Sequence, residues 1–93
     1  MQTFVYARVS TVDQTIDNQL LEIEQAGYEA DTVYTDTVSG KVPAEDRSEF
    51  GKMLDTITRT RKPKRLIVTK LDRLGRDAID ILITVRRLSE LEC

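Results

Sequence analysis

Ser10 follows the β-prone segment Thr3–Val9 and precedes Thr11-Val-Asp-Gln14, so its hydroxyl stands where a strand is expected to give way to a helix, close to helix N-terminal amides. The plain alternative is a helix-start or turn serine, since Ser and Thr are common there. The company it keeps argues for chemistry: Arg8, Arg47, Arg73 and Arg76 fall at or next to segments expected to end strands. Arginine forks match phosphate oxygens and stay charged at every relevant pH. The chain has no histidine, which excludes a Ser-His-Asp triad, a Cys-His pair, histidine-ligated zinc and imidazole acid–base work. A hydroxyl facing arginines without histidine suits phosphoryl transfer better than acyl transfer.

The segment Leu71-Asp-Arg-Leu-Gly-Arg76 is the sharpest local feature. Arg73 and Arg76 are three apart and would face one side of a helical turn, and Gly75 permits close backbone approach. Asp72 could hold an arginine in place or, if protonated, donate to a leaving oxygen; a structural ion pair with a neighbouring arginine is the equal alternative. The segment closes a basic stretch, Arg59–Arg76, which carries eight of the fourteen basic residues and only Asp72 of the sixteen acids. With the net charge at only -2, a basic segment in an otherwise acidic chain points to a local anion partner. A solvated charged loop is the bland reading.

Three β-then-α units must position these residues. Thr3–Val9 alternates Val5, Ala7 and Val9 with Phe4, Tyr6 and Arg8, a strand pattern. Thr11-Val-Asp-Gln14 fits a capping box that predicts a helix from about Val12, with Ile16, Leu20 and Ile23 at helical spacing and Gly27 to stop it. Thr32–Thr35 reads as a short strand, and Thr37–Asp46 as a loop long enough to be suspected of function. Phe50, Leu54 and Ile57 mark a helix from roughly Arg47 to Thr60. Arg65–Lys70 reads as a third strand, its Leu66-Ile67-Val68 run expected at the centre of the sheet. Asp77 can cap a last helix reaching about Leu91. The fold class is therefore α/β, a βαβαβα parallel sheet with flanking helices, whose ligands bind beyond the C-terminal strand ends.

At 93 residues the chain is one domain at most. No apolar run approaches the ~20 residues of a membrane span and no signal-peptide pattern opens the chain, so a cytoplasmic location is expected. The one cysteine, Cys93, cannot form an internal disulfide and is expected to fray at the last position.

Taken in order, Tyr6-Ala-Arg-Val-Ser-Thr11, Gln14, Asn18-Gln19, Asp36, Ser39-Gly40, Asp46-Arg47 and Lys70-Leu-Asp-Arg-Leu-Gly-Arg76 resemble the catalytic domain of the serine recombinases, nearest in pattern to resolvases and DNA invertases. The resemblance spans nearly the whole chain. It implies recombination of double-stranded DNA through a 5′-phosphoserine intermediate. Ser10 matches the nucleophile, and Arg8, Arg47, Arg73 and Arg76 match the arginines that bind the scissile phosphate. Gln19 matches a supporting polar residue and Asp72 the acid beside the arginines. Tyr6 also aligns, although a half-buried strand tyrosine is the simpler account of it. The family needs neither metal nor high-energy cofactor, because the phosphoserine bond conserves the energy for rejoining.

The resemblance also implies that the family's domain continues with another strand, a long helix for dimerisation and synaptic tetramers, and then a DNA-binding domain. Residues 1–93 are thus expected to be a partial catalytic domain, with one strand edge exposed and no recombination by the isolated chain. Two other readings stand beside this one. The chain could be a catalytically silent fragment or protein–protein module, or a small phosphate-binding or phosphatase-like domain, for which no Asp/Cys nucleophile loop or metal cluster is evident.

Overall fold

The computed structural model describes residues 1–93 and places three strands side by side, all parallel, in the order β2-β1-β3. Strand β1 runs Gln2–Val9, β2 Thr32–Thr37 and β3 Lys64–Ile67. Helices α1 (Asp17–Gln25), α2 (Ser48–Arg59) and α3 (Ala78–Glu90) alternate with them. Short 3-10 turns, Ala44–Asp46 and Leu71–Leu74, lead into α2 and α3. The β1–β2 register runs from Phe4 opposite Thr32 to Val9 opposite Thr37, and the β1–β3 register from Gln2 opposite Lys64 to Val5 opposite Ile67.

The alternation of β1 separates two packing faces. Phe4 and Tyr6 join Phe50, Met53, Leu54 and Ile57 of α2, with Leu74 and Leu88, in the main core. On the other face Val5 lines a groove with Leu20 and Ile23 of α1, and Ile23 is the one buried residue that α1 contributes. Every β1 residue from Thr3 to Val9 is buried, as a strand covered on both faces must be.

The central place was expected for Leu66-Ile67-Val68 and belongs instead to β1. The second crossover carries the chain past β1 to its far side, so among the three strands of residues 1–93 β3 lies at an edge, its residues half-buried. It also ends at Ile67, short of Lys70, because the chain then turns at Lys70, whose carbonyl accepts the Arg73 N–H at 3.2 Å.

Helix α1 begins at Asp17, not near Val12. Gln14 does reach back as a capping-box partner would, its Oε1 accepting from the Ser10 and Thr11 N–H groups at 2.8 and 3.3 Å. Those bonds close an isolated turn, in which the Gln14 N–H meets the Thr11 carbonyl at 3.2 Å, and no helix is seeded. Ser10 therefore sits on a turn and not at a helix N-terminus. Strand β2 runs two residues beyond Thr35, and α2 ends at Arg59. The cap predicted at Asp77 forms, its carboxylate accepting the Asp80 N–H at 2.8 Å. Cys93 does not fray: it is half-buried and its N–H donates to the Leu88 carbonyl at 2.9 Å. No helix is long and apolar enough to cross a membrane.

Candidate active site

The C-terminal end of β1 delivers Arg8 and, two residues on, the exposed Ser10. Arg8 Nη1 donates to Ser10 Oγ at 3.0 Å and to the Val38 carbonyl at 3.0 Å. The Arg8 side chain packs so closely on Gly40 that a Cβ there would lie 3.3 Å from Nη2. Its Nε is buried without a partner. Burial first, and then the charges of Arg73 and Arg47, hold the Arg8 guanidinium below its ordinary value, against the weaker opposing pull of Asp72. Cations gathered in this way favour an anion among them.

Gln19 supports this strand end. Its amide donates to the Arg8 carbonyl at 2.8 Å and its Oε1 accepts the Arg8 N–H at 3.3 Å. Thr3 and Val9 carbonyls bond toward the β2 side, to Asp31 and Val38 N–H groups, so the Arg8 backbone faces the β3 side, where β3 has already ended at Ile67. The side-chain amide thus replaces a missing strand partner. The same Oε1 accepts from Arg73 Nε at 3.1 Å, which ties Arg73 to the strand that leads to Ser10. Arg73 Nη1 also pairs with Asp72 at 2.8 Å, the arginine largely covered and the acid largely exposed.

Arg47, directly before α2, is wholly buried. It meets no carboxylate: Nε donates to the Val42 carbonyl at 3.1 Å, Nη1 to the Arg73 carbonyl at 2.7 Å and Nη2 to the Gly40 carbonyl at 3.4 Å. The helix that follows it is held at its start by Asp36, near the end of β2. That carboxylate accepts the Glu49 and Phe50 N–H groups, both at 3.0 Å, and so caps α2 from another element. Tyr6, expected to be half-buried, is fully buried; its hydroxyl donates to Asp36 at 2.8 Å and its ring meets Phe50 edge-on. Burial and the Asp36 carboxylate push the phenol well above its ordinary value, with Arg47 opposing.

Arg76 stands apart. The 3-10 turn stops at Leu74 and the chain runs extended through Gly75, so the helical spacing that would have aligned Arg76 with Arg73 is broken. Its exposed side chain lies 3.7 Å from Asp77. A shallow groove bounded by Arg8, Ser10, Gln14, Gln19 and Arg73 is what the structure brings together, with Arg47 behind it. Spacing carried no sign of the capping role of Asp36, because the amides it holds lie 13 and 14 residues downstream. No group of three or more His, Cys, Asp or Glu side chains is gathered to hold a metal ion.

Comparison with known proteins gives the family and the fold. The family model described as "Resolvase, N terminal domain" matches residues 3–93. The chain is 46% identical over 90 residues to the Transposon Tn2501 resolvase of Escherichia coli, covering 95% of this chain and 45% of that protein. It is 43% identical over 91 residues to the serine recombinase PinQ of Escherichia coli K12, covering 96% and 45%. The DNA-invertase hin of Salmonella typhimurium matches at 36% over 90 residues, covering 97% and 44%. The chain therefore spans a little under half the length of these relatives. Among solved structures, a serine recombinase from Sulfolobus solfataricus superposes with a TM-score of 0.81 at 31% identity, covering 99% of this chain and 64% of that one. The N-terminal catalytic domain of TP901-1 integrase does so with a TM-score of 0.81 at 27% identity, covering 99% and 74%.

Proposed function

Since the chain belongs to the resolvase N-terminal domain family of serine recombinases, we propose that it carries the cleavage chemistry of a site-specific DNA recombinase. Ser10 Oγ attacks a backbone phosphorus of double-stranded DNA. The new Oγ–P bond replaces the P–O3′ bond, leaving a 5′-phosphoserine and a free 3′ hydroxyl that takes up a proton. The reverse attack by a 3′ hydroxyl on the phosphoserine rejoins strands after exchange and regenerates Ser10. The observation that carries this reading is the 3.0 Å contact of Arg8 with Ser10 Oγ inside a group of guanidinium cations.

Arg8 and Arg73 flank the nucleophile and are aimed where negative charge grows on the phosphoryl oxygens; fixed donors of this kind lower the barrier because they need no reorganisation. Arg47 adds positive potential from behind. Arg76, exposed on its extended segment, engages a neighbouring DNA phosphate, and Asp72 orients Arg73. Gln19 holds the strand end that presents Arg8. Tyr6, buried and with its hydroxyl donating to Asp36, supports the end of β2 in this reading and does not take the Ser10 proton.

Recombination further requires two DNA sites and hence self-association, as a dimer and a synaptic tetramer. The exposed Ile79, Leu82 and Ile83 of α3 support a surface of that kind. The work is cytoplasmic, where the DNA is, and needs neither metal nor cofactor. The test is a denaturing gel with labelled duplex and the protein that carries this chain. A covalent adduct is expected with Ser10 and none with Ser10→Ala, at unchanged duplex binding; an adduct in Ser10→Ala removes Ser10 from the mechanism.

A further inference from the structure

We infer that Asp80 is a positioning residue for the arginine group, one carboxylate oxygen fixing the two segments that deliver Arg47 and Arg73–Arg76 relative to each other. The inference rests on the recombinase reading and deepens it. Asp80 Oδ2 accepts the Ala44 N–H at 3.0 Å and the Arg76 N–H at 2.8 Å. Ala44 is buried and opens the 3-10 turn whose first carbonyl accepts the Arg47 N–H at 3.1 Å. Arg76 ends the segment that begins with the Arg73 turn. The two arginine-bearing segments, one 36 residues from Asp80 in sequence, thus share a single acceptor atom.

An acid in the first turn of a helix has an ordinary explanation in the helix dipole. That explanation accounts for the charge but not for two main-chain donors converging on one oxygen. Nor does it account for the fit of Gly75, where a Cβ would lie 2.9 Å from Asp80 Oδ2 and 2.6 Å from the Ile81 nitrogen. Only a glycine lets the chain pass this close, and that passage brings the Arg76 N–H within reach. Asp80 forms no ion pair with any lysine or arginine, so its acceptor capacity goes to backbone. Its own N–H is held by Asp77 at 2.8 Å, which fixes the helix turn from which the carboxylate projects. A second link between the same segments, Arg47 Nη1 to the Arg73 carbonyl, completes a two-point clamp.

The test compares Asp80→Asn, Asp80→Glu and Asp80→Ala in the protein that carries this chain, with Ser10→Ala as control. Asn keeps an oxygen in place without the charge, whereas Glu keeps the charge and displaces the oxygen. Small misplacements of catalytic groups are costly, so Asp80→Glu and Asp80→Ala should form the phosphoserine adduct about 10–100-fold more slowly under single turnover. Their duplex affinity should stay within about twofold, and Asp80→Asn within about threefold of the parent rate. Amide hydrogen exchange at Ala44 and Arg76 should accelerate in Glu and Ala and not in Asn. Should Asp80→Ala not fold, the Glu and Asn pair still decides. Parent-like cleavage in Asp80→Glu, greater loss in Asn than in Glu, or unchanged exchange at both amides overturns the inference. An adduct in Ser10→Ala, or none with the parent protein, overturns the recombinase reading instead, and the exchange data then judge Asp80 on their own.

Discussion

Arg47 Nη1 donates to the main-chain oxygen of Arg73 across 2.7 Å, although 26 residues separate the two in sequence. An arginine buried without a carboxylate partner is costly, and here three carbonyls from two loops share the work of solvating it. The cation in turn holds the Gly40–Val42 loop against the Arg73 turn. Arg47 is therefore both a source of positive potential and the pin that joins the Gly40–Val42 loop to the Arg73 turn.

Replacing that pin should be felt in folding as well as in cleavage. Arg47→Ala leaves the Val42, Gly40 and Arg73 carbonyls without their donor, and an unsatisfied buried polar group costs about 1–3 kcal/mol. A loss of about 2–4 kcal/mol in urea denaturation is expected. Arg47→Lys, one compact charge in place of a fork, should recover part of the stability. A stability within 0.5 kcal/mol of the parent for Arg47→Ala, on the order of a neutral surface change, would show that the guanidinium does not hold the loops.

Tyr6 sets an alkaline limit. Its folded-state pKa is raised by burial and by Asp36, whereas the unfolded phenol titrates near 10. The stability this shift contributes is present in full below about pH 10 and is lost as pH rises above it, because the unfolded chain then binds fewer protons than the folded one. Stability should fall with pH above about 10, and Tyr6→Phe should remove that part of the slope while costing about 1–2 kcal/mol at pH 7 for the lost Asp36 bond. An unchanged alkaline slope in Tyr6→Phe would assign it to other groups.

For DNA binding, the basic stretch divides. Arg65 stacks over the Tyr28 ring at 5.1 Å and donates to Thr3, and Lys64 donates to the Thr60 carbonyl. The exposed Arg59, Arg61 and Lys62 lie beside Pro63 at the N-terminal edge of the sheet, opposite Ser10. Few charges can therefore meet one duplex together with the groove. The 93 residues alone should bind DNA weakly and without sequence preference, with affinity falling steeply as salt rises. Fluorescence anisotropy with cognate and scrambled duplexes at two salt concentrations measures this. Nanomolar, discriminating binding at physiological salt would contradict it.

Much of this arrangement is legible in the residues. Arg8 and Ser10 are two apart at the end of a strand, so alternation alone brings them to one side, and the β-then-α order places them at the ligand-binding edge. What stays hidden depends on main-chain atoms. The acceptors of Arg47 are carbonyls, and carbonyls are the same at every position. The amides held by Asp36 and Asp80 are silent for the same reason. Gln14 offers the same oxygen to a capping box or to a closed turn, so the start of α1 could not be read from it. Arg76 parts from Arg73 because of an extended glycine, and Gly75 permits several conformations.

The Gln19 amide occupies the slot on β1 where another strand could otherwise dock. A glutamine side chain cannot extend a ladder beyond its own two bonds, so it caps the Arg8 N–H and carbonyl without offering a further edge. An intruding strand from another molecule must first evict the amide, and eviction also releases Arg73. Bare strand edges invite intermolecular pairing. Here one side chain both occupies the bare edge of the segment leading to Ser10 and holds Arg73 beside it.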